Sequence, residues 1–281
     1  MSEVLISTTE AAKLLGASPS SVKRWADAGL LRCVKTPGRH RRFDRAEVER
    51  FGENLPDESP GGATVDPVEA PSDPRLATWL DLLLASPSPR VVEDALLEEC
   101  GRLGSWGRVA DRLGQVLGEL GMRWAEGSVS ILEEHQVSDR LARALARVTD
   151  GLPVAADAPI GLLAMAEGDD HTLGLQLVEL CLREAGWHTR WVGARSPIEE
   201  LKEYVTQERV QLLAVSASSA SIDGDSLRGQ ATELEVACQK AGALLLLGGT
   251  GHWPEDLRHA RVVRRLSELR ALVARDGTKG K

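Results

Sequence analysis

Residues 159–186 read PIGLLAMAEGDDHTLGLQLVELCLREAG. The run PIGLLAM (159–165) is apolar without alternation, as expected of a strand buried on both faces of a parallel sheet. LGLQLVELCLREAG (173–186) then repeats apolar residues at helical spacing and stops at Gly186, the residue type that caps a helix C-terminus. Between them AEGDDHTLG sits where a strand turns into a helix, the edge at which open α/β sheets bind ligands.

The same alternation continues to the right. HTRWVG (188–193), IEELKEYVTQE (198–208), VQLLAVSA (210–217), LRGQATELEVACQKAG (227–242) and ALLLLGG (243–249) alternate short apolar runs with amphipathic stretches, the pattern of βαβ units around a parallel sheet. To the left, residues 76–152 carry apolar residues at helical spacing, as in Leu76, Trp79, Leu80 and Leu83 or Leu113, Val116, Leu117 and Leu120. That spacing predicts a helical bundle of four helices. Asn54–Arg75 (NLPDESPGGATVDPVEAPSDPR) holds five of the thirteen prolines and no periodicity, so it reads as a flexible linker.

Before the linker, STTEAAKLLGASPSSVKRWADAGLL (7–31) predicts a first helix capped by Thr8 or Thr9, with Ala12, Leu14 and Leu15 inward, ended by Gly16. Ser18 and Pro19 start a second, with Val22 and Trp25 inward and Ser20, Ser21, Lys23 and Arg24 outward. A Gly turn followed by a capped helix with basic and hydroxyl side chains is a helix-turn-helix, whose second helix enters the major groove. LRCVKTPGRHRRF (31–43) then clusters Arg32, Lys35, Arg39, His40, Arg41 and Arg42 about Pro37-Gly38, suited to a two-stranded wing along phosphates.

The expected fold is therefore multidomain α and α/β. It comprises a winged helix-turn-helix (1–55), a linker (56–75), a four-helix bundle (76–152) and a Rossmann-like parallel sheet domain (153–281).

Charge follows that division. The chain of 281 residues has net charge −8, yet residues 1–55 hold ten Lys and Arg against seven Asp and Glu, while the remainder holds 24 against 35. A basic head on an acidic body points to nucleic acid at the head. Four cysteines, none in CxxC spacing, suggest neither a zinc site nor a disulfide framework. No apolar run approaches the roughly 18 residues of a membrane span, and MSEVLISTTE lacks a signal peptide's order, so a cytoplasmic protein with no membrane partner is expected.

The loop AEGDDHTLG places Asp169, His171 and Gly174 in the order Asp-x-His-x-x-Gly. A neutral imidazole ligates a metal such as cobalt, and a carboxylate two residues earlier holds the opposite ring N–H, fixing the tautomer. Gly174 leaves room for a bulky group against backbone. His171 is the expected metal ligand, and no catalytic residue is expected.

Three resemblances follow from these residues. TTEAAKLLGASPSSVKRWADAGLL and GRHRRF resemble the winged-helix domains of the MerR family over about 50 residues, implying binding to double-stranded promoter DNA. The Asp169–His171–Gly174 order, with Ser216-Ala217-Ser218 ending the third strand of the domain and Gly248-Gly249 the fourth, resembles cobalamin-binding domains of the methionine synthase type. That implies His171 as lower axial ligand and a groove for the nucleotide tail beside Ser216, Ser218, Gly248 and Gly249. Ser218 departs from the family's Ser-x-Leu or Ser-x-Thr.

The third resemblance is in RWAEGSVSILEEHQ (123–136), where Trp124, Glu134 and His135 are spaced as in CarH-type regulators, also represented by CarA and LitR. There these residues enclose the cofactor's upper ligand. The resemblance implies a repressor whose assembly into a dimer or tetramer, and whose operator binding, depend on adenosylcobalamin or methylcobalamin. It departs at Ala125, where light-sensing members carry a histidine, so light and cobalamin level both stand as signals. A corrinoid carrier subunit for methyl transfer would use the same His171 motif but has no use for a DNA reader. A MerR-type regulator answering another ligand or a protein is the other reading.

Overall fold

The computed structural model describes residues 5–15, 22, 25–26, 30–35, 41–53, 74–86, 88–208, 210–219 and 224–276. By its internal contacts the chain forms two compact units, residues 1–84 with 115–137, and residues 85–114 with 138–281.

The first unit opens with a small antiparallel sheet in the order β1-β3-β2, from β1 (Leu5–Ser7), β2 (Val34–Lys35) and β3 (Arg41–Asp44). Two helices, α1 (Thr8–Leu14) and α2 (Arg45–Glu53), enclose a core of Ile6, Ala11, Val22, Leu31, Phe43 and Val48. The cap of α1 is Ser7, not Thr8 or Thr9. The Ser7 hydroxyl accepts from the Glu10 N–H and the Glu10 carboxylate accepts from the Ser7 N–H, a capping box that contributes about 1 kcal/mol. Leu14, expected inside, is exposed, while Ala11 and Ala12 take the buried positions. The expected wing is present as β2 and β3, with β1 added along the other side of β3.

The rest of this unit comprises α3 (Pro74–Ala85) and the facing ends of two long helices, α5 (Trp106–Glu126) and α6 (Ile131–Asp150). Trp79, Leu80 and Leu83 of α3 are buried, as the periodicity predicts. Pro74, at the end of the proline-rich stretch, is the first residue of α3, a position where its missing N–H costs nothing.

The second unit contains α4 (Pro89–Leu103), the remaining halves of α5 and α6, and the α/β domain. Five parallel strands, β4 (Ile160–Met165), β5 (His188–Gly193), β6 (Leu212–Ala217), β7 (Leu244–Gly249) and β8 (Ala260–Val262), lie in the order β5-β4-β6-β7-β8. Between them run α7 (Leu173–Glu184), α8 (Ile198–Gln207) and α9 (Gly224–Ala241), and α10 (Leu269–Asp276) follows β8. Every residue of β6 is buried, and each such Leu or Val contributes about 1.5–3 kcal/mol. The chain order reverses between β4 and β6, which opens a crevice at their carboxyl ends.

Two carboxylates join the helical and α/β parts of this unit. Glu184, at the end of α7, accepts from the Trp106 and Gly107 N–H groups and so caps α5. Asp111 of α5 in turn accepts from the N–H groups of Leu266 and Ser267. Gly107 permits the approach, since a Cβ there would lie 2.8 Å from the Ser267 Cα. Among the described residues no helix is long and apolar enough to cross a membrane.

Candidate functional site

The crevice is furnished by the loop from β4 to α7, residues 166–172. It leaves the sheet with the Ala166 N–H donating to the Ser216 carbonyl and closes tightly, Asp169 N–H to Ala166 carbonyl at 3.0 Å, through Gly168 at φ +92°. The amide of Gln230, from α9, both donates to and accepts from the backbone of Glu167, at 3.2 and 2.9 Å, and so holds the loop's first half. That contact spans 63 residues and has no local signal in the sequence.

Asp169 is completely buried. Its Oδ1 accepts from the His171 backbone N–H at 2.9 Å and from the ring Nδ1 at 2.7 Å, while Oδ2 accepts from the Ser218 N–H. An ionised carboxylate only accepts, so Nδ1 carries the hydrogen and ligation of a metal falls to Nε2. The His171 side chain is 61% exposed, at the mouth of the crevice.

Beside it, glycines allow a close approach to the end of β6. Gly174, in the first turn of α7, and Gly249, at the end of β7, both face Ser216, which is buried on β6. A Cβ on Gly174 would lie 3.2 Å from the Ser216 hydroxyl, and one on Gly249 2.9 Å from it and 2.2 Å from the Ala217 carbonyl. Gly249 also has φ +83°, a conformation that L side chains rarely adopt. Gly248 is less constrained, with its nearest neighbour at 3.9 Å. Between α7 and the sheet a small apolar cavity of about 10 Å³, room for no more than a water molecule, is lined by Leu175, Val178, Val215, Leu247, Gly248 and Val263.

The donor set fits a corrinoid's metal at His171. One nitrogen is presented at the mouth of the crevice with its tautomer fixed, and glycines beside it let α7 and the end of β7 close on Ser216 and Ala217. Asp169, His171, Gly174, Ser216, Ser218, Gly248 and Gly249 are thus gathered at one edge of the sheet. Ser218 contributes its backbone N–H to Asp169. Asp170 turns the other way, onto Arg195 in the loop after β5, at 2.7 and 3.0 Å. Those hydrogen bonds hold its carboxyl below the usual carboxylate range.

Trp124, Glu134 and His135 belong to the other unit. Trp124 is half-buried in the last turn of α5, and the chain turns directly after it, Gly127 N–H to Trp124 carbonyl at 3.1 Å. Glu134, on the first turn of α6, lies 3.6 Å from the exposed His135 ring. Of the expected DNA-contacting residues, Arg41 and Arg42 stand half-buried on β3, opposite Lys35 and Val34 of β2. Ser20, Ser21, Lys23, Arg24, Arg39 and His40, and the side chain of Lys35, lie outside the described residues.

Residues 5–55 match the profile of a helix-turn-helix domain and residues 159–268 that of a B12 binding domain. The chain is 28% identical over 180 residues to the HTH-type transcriptional repressor CarH of Myxococcus xanthus, covering 63% of this chain and 59% of that protein. It is 32% identical over 101 residues to the HTH-type transcriptional repressor CarA of the same organism, covering 36% and 33%. The chain is homologous to both and spans less than two thirds of the length of either. Among solved structures, the Methanosarcina barkeri monomethylamine corrinoid protein shares the fold, with a TM-score of 0.50 at 18% identity over 70% of this chain and 95% of that one.

Proposed function

We propose that this chain is a cobalamin-dependent transcriptional repressor of the cytoplasm, in which residues 1–55 grip promoter DNA through a MerR-type winged helix and residues 153–281 hold the cofactor. The linker expected at 56–75 is cut short by α3, which begins at Pro74, so residues 56–73 serve as the tether and residues 76–152 as the cofactor's cap. The observation that carries the reading is the buried Asp169 carboxylate fixing His171 at the mouth of the crevice, on a chain that also carries a helix-turn-helix domain.

In this reading His171 Nε2 would hold the cobalt and Asp169 fixes its tautomer. Gly174, Ser216, Ser218, Gly248 and Gly249 line the path of the nucleotide tail. When bound, cobalamin supplies a cobalt centre whose upper bond, in the adenosyl form, is sensitive to light. Trp124, Glu134 and His135 are assigned to the upper ligand on the resemblance of their stretch to CarH-type regulators. With Ala125 in place of that family's additional histidine, no protein nitrogen at that position takes over the upper site.

On the DNA side, Lys35, Arg39, His40, Arg41 and Arg42 neutralise phosphates, and Ser20, Ser21, Lys23 and Arg24 face the major groove. Cofactor state reaches the promoter through assembly. A dimer or tetramer joins several DNA heads, and multivalency raises affinity without any new contact. Cobalamin drives this only by its higher affinity for the assembled form.

Size-exclusion chromatography and promoter-fragment retardation of apo, adenosylcobalamin-loaded dark and illuminated protein test the proposal together. The expected result is a larger, DNA-retaining species on loading in the dark and its loss on illumination. Identical elution and retardation in all three states would refute it.

A further inference from the structure

Two consecutive acids of the β4–α7 loop reach in opposite directions. β4 lies between β5 and β6. Asp169 takes the backbone N–H of Ser218 in the loop after β6. Asp170 takes the guanidinium of Arg195 in the loop after β5, both carboxylate oxygens engaged, at 2.7 and 3.0 Å. The next residue is His171. Arg195 is, among the described residues, the one non-glycine at positive φ, +62°. An arginine held there needs a reason, since only a residue with a side chain completes the pair.

We infer that Asp170 and Arg195 form a positioning latch that, opposite the Asp169–Ser218 contact, pins the His171 loop from the β5 side and presets the imidazole for the incoming cofactor. The inference rests on the cobalamin reading of His171. A hydrogen bond to Nδ1 orients the ring relative to Asp169, but the largely exposed ring also needs its loop fixed relative to the sheet. A guanidinium fork on a carboxylate constrains two loops in distance and in plane, which a single hydrogen bond does not. Both partners are exposed, so the latch is modest in strength and screened by salt.

The test has an arm that needs no cofactor. In the apo protein, Arg195→Ala and the isosteric Asp170→Asn should each raise amide exchange in residues 166–172 about two- to fivefold at low salt, the range an exposed ion pair supports. The melting temperature should stay near wild type. In the second arm, absorbance-monitored loading with adenosylcobalamin should slow by a similar factor in both variants. Wild-type loading should slow in 1 M NaCl, whereas loading of the variants should not. The reversed pair D170R/R195D should recover at least half of the lost rate.

Wild-type exchange and loading in both single variants would overturn the latch, and failure of the reversal would assign any effect to one residue and overturn the pair. If the wild-type chain loads and His171→Ala alters the spectrum while Arg195→Ala changes nothing, only the latch falls. If the wild-type chain takes up no cobalamin, the reading of the site falls and the latch with it.

Discussion

The Asp169 carboxylate, wholly buried, stands 2.7 Å from the Nδ1 of His171, two residues on and mostly exposed. The relationship turns a surface histidine into a ligand of fixed tautomer. Burying a carboxylate is costly unless its oxygens are satisfied, and Asp169 has the His171 N–H, the ring N–H and the Ser218 N–H.

Asp169→Ala should therefore act on both stability and binding. The Ser218 N–H loses its acceptor, at a cost of about 1–3 kcal/mol. Cobalamin affinity should fall roughly 10–100-fold, the usual effect of removing a ligand's orienting partner. Chemical denaturation and equilibrium titration of the same preparation would separate the two, and wild-type affinity would rule out the orienting role.

The glycine pair at the end of β7 should split. Gly249→Ala places a methyl group 2.2 Å from the Ala217 carbonyl at a positive φ, so it should lower Tm by several degrees, in keeping with about 1–3 kcal/mol of strain. It should also impair cobalamin uptake. Gly248→Ala, whose nearest neighbour is at 3.9 Å, should leave Tm nearly unchanged. Equal effects in thermal unfolding would contradict the close packing of Gly249, and not Gly248, on its neighbours.

On the wing, Arg41→Ala or Arg42→Ala should weaken binding to promoter and unrelated DNA alike, and lower the dependence of log K on log salt by about one unit each. Retardation across a salt series is the measurement. A loss confined to one DNA sequence would mean that these arginines read bases instead of phosphates.

Two buried thiols give a pH signature. Burial pushes Cys181 well above the ordinary thiol range and Cys238 up to about 12. Above about pH 9 the folded chain then retains thiol protons that the unfolded chain releases, so stability falls as pH rises from 9 towards 12. At pH 8 neither cysteine should react with iodoacetamide before the domain unfolds, which peptide mapping after a timed pulse would report. Rapid alkylation of Cys181 in the native state would contradict its burial.

What could be read from the sequence alone follows from how local each cause is. β4, β6 and β7 are legible because strands buried on both faces are written as unbroken apolar runs. Asp169 and His171 are legible as a pair because only one residue separates them. The Ser7 cap was within reach, since Glu10 three residues on marks a capping box, but Thr8 and Thr9 offered the same chemistry one step later. β8 spans three residues, one of them arginine, and leaves no periodic trace. The Gln230 clamp and the Asp170–Arg195 pair join residues 63 and 25 positions apart, so they emerge only when the sheet brings its loops together.

The most direct measurement is the absorbance spectrum of adenosylcobalamin, in the dark, with the wild-type chain and with His171→Ala. The wild-type chain is expected to shift the spectrum as an imidazole on cobalt would, and the variant, still folded, to leave that shift out and bind more weakly. Identical spectra and affinities for the two proteins would show that His171 does not hold the cobalt.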